Sequence, residues 1–109
     1  MKRVFLFALL CQAVILWALP AERDLFLEAE NRFLGEDYAL ALRLYDDFLE
    51  AYPLSEYVPD VQFRKAVIFY RTGRSDEAYS QLLRVEQRYR ATRFYSFVPF
   101  WKGVILFER

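Results

Sequence analysis

The amino-acid sequence predicts an all-α protein whose helical hairpins stack in a short right-handed solenoid. Three observations lead to this prediction. The chain matches itself at an offset of 37 residues. Within each copy, apolar residues recur three and four positions apart, which is the spacing of one helix face. Gly and Pro residues stand where such helices should stop and start.

Aromatic and small residues carry the repeat through three copies. The matching sets are Phe26, Phe63 and Phe100; Ala29, Ala66 and Gly103; and Phe33, Tyr70 and Phe107. Because one hairpin cannot bury its apolar face alone, repeated hairpins are expected to stack and share a core. We expect the small residues to allow close helix approach and the aromatic residues to fill the space beside them.

Residues 1–21 are predicted to form an export leader or a membrane anchor. Lys2 and Arg3 precede an apolar stretch over residues 4–19, and a charged stretch follows Pro20. This order is typical of a secretory signal peptide, and it predicts a periplasmic or exported protein. An uncleaved anchor that associates with a membrane through residues 4–19 is the alternative. Lipidation at Cys11 is less favoured, because Leu10 stands where a small residue is expected.

The first repeat is assigned to residues 22–58. A helix is predicted from Glu22 to Leu34, with a break at Gly35, and a second from Asp37 to Tyr52. Pro53 closes this second helix, because proline cannot continue the hydrogen-bond ladder.

The second repeat is assigned to residues 59–95. Pro59 and Asp60 are expected to open its first helix, and Gly73 suits the left-handed position just after that helix ends. Ser75 is predicted to cap the next helix, which we expect to run to about Arg90.

Residues 96–109 are predicted to form the first helix of an incomplete third repeat. Residues 98–107 are apolar nearly all round, and a run of this length is too short to span a bilayer. We therefore expect Trp101, Ile105 and Leu106 to be exposed, and a further stretch of chain or another subunit to cover residues 98–107.

Composition argues against several function classes. The chain has 15 Lys and Arg residues, 15 Asp and Glu residues, one Cys and no His. A formal net charge of zero offers no general attraction for nucleic acid. Without His, the common zinc ligand sets and the His-dependent catalytic arrangements cannot be assembled within the chain. We therefore expect no cofactor, no metal, no nucleic-acid partner and no enzymatic activity.

The repeat resembles a tetratricopeptide repeat. The segment FRKAVIFYRTGRSDEA, residues 63–78, is similar to the helix–turn–helix centre of that motif. The segment FLEAYPLSEYVPDVQF, residues 48–63, contains a longer loop, which makes the period 37 rather than the usual 34. This longer form is similar to repeats of two bacterial envelope families, the outer-membrane-protein assembly lipoprotein and the periplasmic cell-division coordinator. In contrast to that pattern, Lys65 and Lys102 stand where the motif often has Leu.

The resemblance implies a non-catalytic scaffold that binds a protein or peptide partner in the bacterial envelope, with a role in outer-membrane protein assembly or in envelope and cell-wall maintenance. Two alternatives are an inner-membrane-anchored scaffold and the non-catalytic helical arm of a larger cell-wall enzyme. The resemblance places the binding groove along the first helix of each pair. The candidate partner-binding residues there are Arg64, Val67, Arg71, Arg23 and Glu30, with Asp60 on the same exposed edges. Arg64 and Arg71 lie two turns apart on one helix and could pair with an acidic ligand.

Overall fold

The computed structural model describes residues 21–108, and this part of the chain is all-α, as the sequence predicts. The first helix, α1, covers residues 21–34. Four more follow: α2 (Tyr38–Ala51), α3 (Val58–Arg71), α4 (Ser75–Arg88) and α5 (Val98–Glu108), with a 3₁₀ turn at Tyr95–Phe97. No strand occurs between residues 21 and 108.

Two predictions concern residues outside or at the edge of this range. The leader or anchor over residues 1–21 and the lipidation site at Cys11 lie almost entirely outside the described residues. Between residues 21 and 108, no helix has the length and apolar character needed to cross a membrane.

Helices α1 and α2 form one hairpin, and helices α3 and α4 form a second. Each hairpin shares its core with the first helix of the next unit. The first core cluster joins the hairpin residues Phe26, Ala29, Ala41, Tyr45 and Phe48 to three residues of α3, namely Val58, Val61 and Ile68. The second cluster joins residues of α3 and α4 to Val98 and Ile105 of α5 in the same way. Part of the apolar surface of each hairpin is therefore buried only by the first helix of the next unit.

The turn inside each hairpin has the same backbone geometry. In the first, Glu36 donates its amide to the Phe33 carbonyl at 3.0 Å, and Asp37 donates to Arg32 at 2.9 Å. In the second, Gly73 donates to Tyr70 at 3.2 Å, and Arg74 donates to Phe69 at 2.7 Å. These are Schellman motifs, in which one residue adopts the left-handed conformation.

The left-handed residue of the first turn is Glu36, not the glycine beside it. Glu36 has a φ of 63° and Gly73 a φ of 82°, so these two positions correspond at an offset of 37. Gly73 is placed as predicted. Gly35 lies one residue before the left-handed position, so the first turn holds a side chain in a conformation that L-residues disfavour.

The loops that follow α2 and α4 also have matching hydrogen bonds at residues 37 positions apart. Ser55 donates its amide to the Tyr52 carbonyl, and Thr92 donates to Tyr89, each at 3.1 Å. The hydroxyl of Ser55 accepts from the Tyr57 amide, and that of Thr92 accepts from the Phe94 amide. These loops carry Tyr57 back to stack on Phe26 and Phe94 back to stack on Phe63, with ring centroids 4.3 and 5.0 Å apart.

The two second helices begin differently. Asp37 accepts a hydrogen bond from the Leu40 amide at 3.4 Å and caps α2. At the start of α4, the cap position belongs to Arg74 rather than to the predicted Ser75, and it makes no side-chain capping bond. Arg74 instead pairs with Glu77 one turn later. The predicted boundary was off by one residue because the Schellman motif ends at Arg74.

Lys65 and Lys102 join successive units. Lys65 on α3 contacts Asp46 on α2 at 2.7 Å, and Lys102 on α5 contacts Glu86 on α4 at 3.2 Å. Both lysines therefore reach back to the second helix of the preceding hairpin. This contact explains why a lysine is accommodated where the resembling motif often has leucine.

We expect Glu36→Gly to raise the free energy of unfolding by about 0.5–1 kcal/mol, because glycine adopts the left-handed conformation without a Cβ clash. The matched change Gly73→Ala should lower it by about 1 kcal/mol, because it introduces the same clash in the second turn. Chemical denaturation followed by circular dichroism measures both. A destabilised Glu36→Gly variant would contradict this account of the first turn.

Candidate partner-binding groove

A groove of about 370 Å³ runs along the first helices of the units. Its walls come from α1, α3, α5 and the loop that follows α4. Six aromatic residues line it: Phe33, Phe63, Phe94, Phe97, Phe100 and Trp101. Three predicted binding residues, Arg64, Val67 and Arg71, complete the lining. The structure thus brings the predicted α3 residues and Trp101 to one site.

The floor and the rim of the groove differ in exposure. Phe63 and Val67 are nearly fully buried in the second core cluster and form part of the floor. Phe97 and Phe100 stand on the rim, with 52% and 62% of their surface exposed. Exposed aromatic rings grouped at one concave surface are typical of sites that bind other molecules.

Arg64 is held by an acidic side chain of the same protein. Its Nε lies 3.1 Å from Glu30 Oε1, and a terminal nitrogen lies 3.0 Å from Glu30 Oε2, which makes a two-pronged ion pair between α3 and α1. Its guanidinium carbon lies 4.4 Å from the centroid of the Phe33 ring and 4.5 Å from that of Phe94. The charge is thus paired and sandwiched between two aromatic rings.

Tyr45 on α2 is the third polar member of this cluster. Its side chain is fully buried on α2, and its hydroxyl donates a short hydrogen bond to Glu30 Oε1. Burial raises the pKa of Tyr45 well above its usual range, and the hydrogen bond to the Glu30 carboxylate raises it further. Glu30 therefore accepts from both Tyr45 and Arg64, and it links three helices.

Arg71 has a different environment, although it lies on the same helix face. Its side chain is exposed, and its guanidinium lies 5.9 Å from the Trp101 ring centroid. Trp101 also packs edge-on against Tyr70, with ring centroids 5.5 Å apart. Among the residues described, none makes an ion pair with Arg71. The groove therefore has one arginine whose charge is neutralised and one whose charge is not.

The other predicted site residues fall outside the groove or behind its wall. Arg23 is exposed on α1 but does not line the groove. Glu30 is engaged by Arg64 and Tyr45, and only 16% of its side chain remains exposed. Leu106 is half exposed and does not line the groove, whereas Trp101, which does line it, is partly buried rather than exposed as predicted.

The prediction that Ile105 is exposed is wrong. Ile105 is 1% exposed and belongs to the second core cluster, because it turns toward α4. Its position corresponds to Ile68 of α3, which is buried in the same manner in the first cluster. On the exposed side of α5, Phe100, Phe107 and the partly buried Val104 form a separate shallow depression with Gly103.

Asp60 was also predicted to be exposed and is buried. Its carboxylate accepts from the Thr92 hydroxyl at 2.6 Å and from the Arg93 amide at 3.2 Å, and it pairs with the Arg93 side chain. The carboxylate thus fixes the loop after α4, which carries Phe94 into the groove.

Sequence reasoning missed five aromatic lining residues as parts of one site, namely Phe33, Phe63, Phe94, Phe97 and Phe100. The repeat register contained a usable signal. Phe33 and Arg64 are 31 residues apart, as are Tyr70 and Trp101, and both pairs are in contact. Neighbouring first helices therefore place residues side by side at this separation.

Comparison of the chain with protein-family models, with curated proteins and with solved structures finds no match. The fold and the groove geometry therefore supply the structural basis for a functional proposal.

We expect Glu30→Ala to lower the free energy of unfolding by about 2–3 kcal/mol, because it leaves the Tyr45 hydroxyl buried without its acceptor and Arg64 without its counter-ion. Arg71→Ala on the same groove should cost less than about 1 kcal/mol, since Arg71 is exposed. Urea denaturation distinguishes the two variants. Equal losses would show that the cluster around Glu30 has no special structural role.

Proposed function

We propose that this protein is a non-catalytic protein–protein interaction scaffold whose groove binds an apolar segment that carries an acidic group. The observation that supports it is the juxtaposition of exposed aromatic rings with the exposed guanidinium of Arg71, which makes no ion pair with the residues that the structure describes. This proposal keeps the predicted binding role of Arg71 and Val67. It changes the roles of Arg64 and Glu30, which pair with each other and hold the aromatic wall of the groove in place.

The apolar part of the ligand follows from the rings at the rim. Covering apolar surface stabilises a complex by roughly 25 cal/mol per Å². Phe97 and Phe100 each leave more than half of their surface exposed, next to the partly buried Trp101. A ligand that placed leucine, phenylalanine or similar side chains against these rings would remove that surface from water.

The acidic part of the ligand follows from the two arginines. A carboxylate that approached Arg64 would have to replace Glu30, which already occupies the guanidinium edge with two contacts. A carboxylate at Arg71 would displace no acidic partner found between residues 21 and 108. Since arginine recognises carboxylates by paired hydrogen bonds, an aspartate, a glutamate or a free C-terminus of the ligand is the matching group.

The proposed setting is the bacterial envelope, with residues 1–21 as the export leader. This part of the proposal rests on the order of charged and apolar residues in the leader and on the resemblance to tetratricopeptide repeats of envelope proteins. Retention of the leader as an anchor would keep the same scaffold at the inner membrane.

A displayed library of random octapeptides with free C-termini, panned against the full chain, tests the groove. We expect selected peptides to combine aromatic or aliphatic residues with an acidic residue or a terminal carboxylate. Arg71→Glu should weaken binding of a selected peptide by roughly 10-fold or more, because it replaces an attractive pair with a repulsive one. Fluorescence anisotropy with the synthetic peptide measures the change.

Arg84→Glu provides the matched control, because Arg84 lies on the exposed side of α4 and does not line the groove. We expect it to leave the affinity within about 2-fold, since surface charges at a distance are screened by salt. Equal weakening by Arg71→Glu and Arg84→Glu would indicate a general charge effect and would refute the assignment of Arg71.

Mass spectrometry of the N-terminus of the protein isolated from its native cells tests the leader. Cleavage after Ala18 or Ala21, the small residues near the end of the leader, would leave a mature chain that begins at residue 19 or 22 and would support export. An intact N-terminal segment in the membrane fraction would support the anchored form. An intact chain in the cytosolic fraction would contradict both forms of the proposal.

A further inference from the structure

We propose that the outward face of α5, formed by Phe100, Gly103, Val104 and Phe107, is the docking site for an amphipathic helix of a partner protein. The partner helix should carry alanine where it crosses Gly103 and leucine and valine in the next two turns, as α4 does. This site is separate from peptide binding at Arg71, although Phe100 borders both surfaces.

Helix α5 has one side that is already covered. Val98 and Ile105 are each 1% exposed and belong to the core cluster that includes α4. Their counterparts on α3, Val61 and Ile68, are buried in the preceding cluster. On both α3 and α5 this side faces the preceding hairpin, so α5 packs on that hairpin as α3 does.

The other side of α5 is exposed, whereas the equivalent sides of α1 and α3 are buried. Phe26 and Phe63 are 4% and 3% exposed, whereas Phe100 is 62% exposed. Ala29 and Ala66 are buried, whereas Gly103 is exposed, and Phe107 has 91% of its surface exposed. In the first two units, this side of the helix shares its core with the second helix of the same hairpin.

The chemistry of the docked helix can be inferred from the equivalent face of α3, which α4 covers. On α3 this face presents Phe63, Ala66, Val67 and Tyr70, and α5 presents Phe100, Gly103, Val104 and Phe107 in the same order. Helix α4 meets the α3 face with Ala78, Leu82 and Val85, all of them buried in the shared cluster. The open face therefore continues an interface that the protein already makes.

A helix of the α2 type fits this face less well. Helix α1 has Glu30 at the position that Val67 and Val104 occupy on α3 and α5. Glu30 accepts a hydrogen bond from the hydroxyl of Tyr45 on α2. Val104 offers no such acceptor, so a tyrosine at that level would bury an unsatisfied hydroxyl. Leucine, which α4 has there, matches Val104.

A second copy of the same α5 face is also a poorer occupant. In the second hairpin, the aromatic residues of the first helix face a second helix whose buried inner residues are small, polar or aliphatic, namely Ala78, Gln81, Leu82 and Val85. Two copies of α5 that crossed antiparallel at Gly103 would place Phe100 of one copy against Phe107 of the other, so a bulky ring would meet a bulky ring on both sides of the glycines.

Gly103 makes the proposal testable without damage to the core. A Cβ built at Gly103 meets no atom within 4 Å, so a larger residue there has open space in the isolated chain. Alanine occupies this position in both closed hairpins and should preserve docking. Leucine should hold the partner helix away from α5.

A fluorescein-labelled synthetic peptide with the sequence of residues 74–90 is the probe, titrated with the full chain and followed by anisotropy. We expect saturable binding, retained within about 3-fold by Gly103→Ala and weakened at least about 10-fold by Gly103→Leu. A peptide with Leu82→Asp should also bind at least about 10-fold more weakly, because the aspartate would face Val104. Circular dichroism of both protein variants checks that their helix content is unchanged.

Each alternative has its own outcome. If Gly103→Leu binds the peptide as well as the wild type does, the peptide has exchanged with α4 rather than docked on α5, and the proposal is wrong. Absence of binding to the wild-type chain also overturns it. Light scattering tests for a second copy of the chain on this face. If the wild type is a dimer that the peptide does not dissociate, and Gly103→Leu converts it to a monomer, the face belongs to a second copy and the proposal is wrong. Failure of this test would leave the Arg71 site untouched, because the octapeptide assay reads that site separately.

Discussion

The fold depends on one packing requirement: the first helix of the second hairpin must be covered on two sides. Helix α3 meets this requirement, since Val61 and Ile68 face the hairpin before it while Phe63 and Ala66 share a core with α4. Small residues on that second side keep helix axes close, and aromatic residues fill the space beside them. Because both core clusters extend across a hairpin boundary, the stability of one hairpin is tied to the presence of the next.

The same stacking builds the groove. Glu30 lies on α1 and Arg64 on α3, so their ion pair exists only when the two hairpins are in register. The pair holds the guanidinium between Phe33 and Phe94, which keeps two aromatic walls at a fixed separation. Asp60 contributes to this arrangement by anchoring the loop that carries Phe94. These paired charges therefore shape the groove, whereas Arg71 is exposed and makes no ion pair with the residues that the structure describes.

Local features were predictable from the sequence because they depend on neighbouring residues. Helical spacing and the glycine at Gly73 indicated the helices and one turn to within about two residues. Contacts between units were not predictable in the same way. The partner of Arg64, the burial of Asp60 and the orientation of Ile105 depend on how the hairpins stack, and a charged or apolar residue on a helix carries no local sign of which neighbour it will meet. The turn at Glu36 was missed because a glycine stands next to it.

The ion pairs of Lys65 and Lys102 have a consequence for the order of the units along the chain. The lysines occupy equivalent positions, but their acidic partners do not: the counterpart of Asp46 in the second hairpin is Leu83, and the counterpart of Glu86 in the first is Leu49. If the hairpins were exchanged, Lys65 would have no hairpin before it to pair with, and Lys102 would follow the first hairpin and meet Leu49 at the level of Glu86. The array is therefore not a set of interchangeable modules, and its joints encode a single linear order.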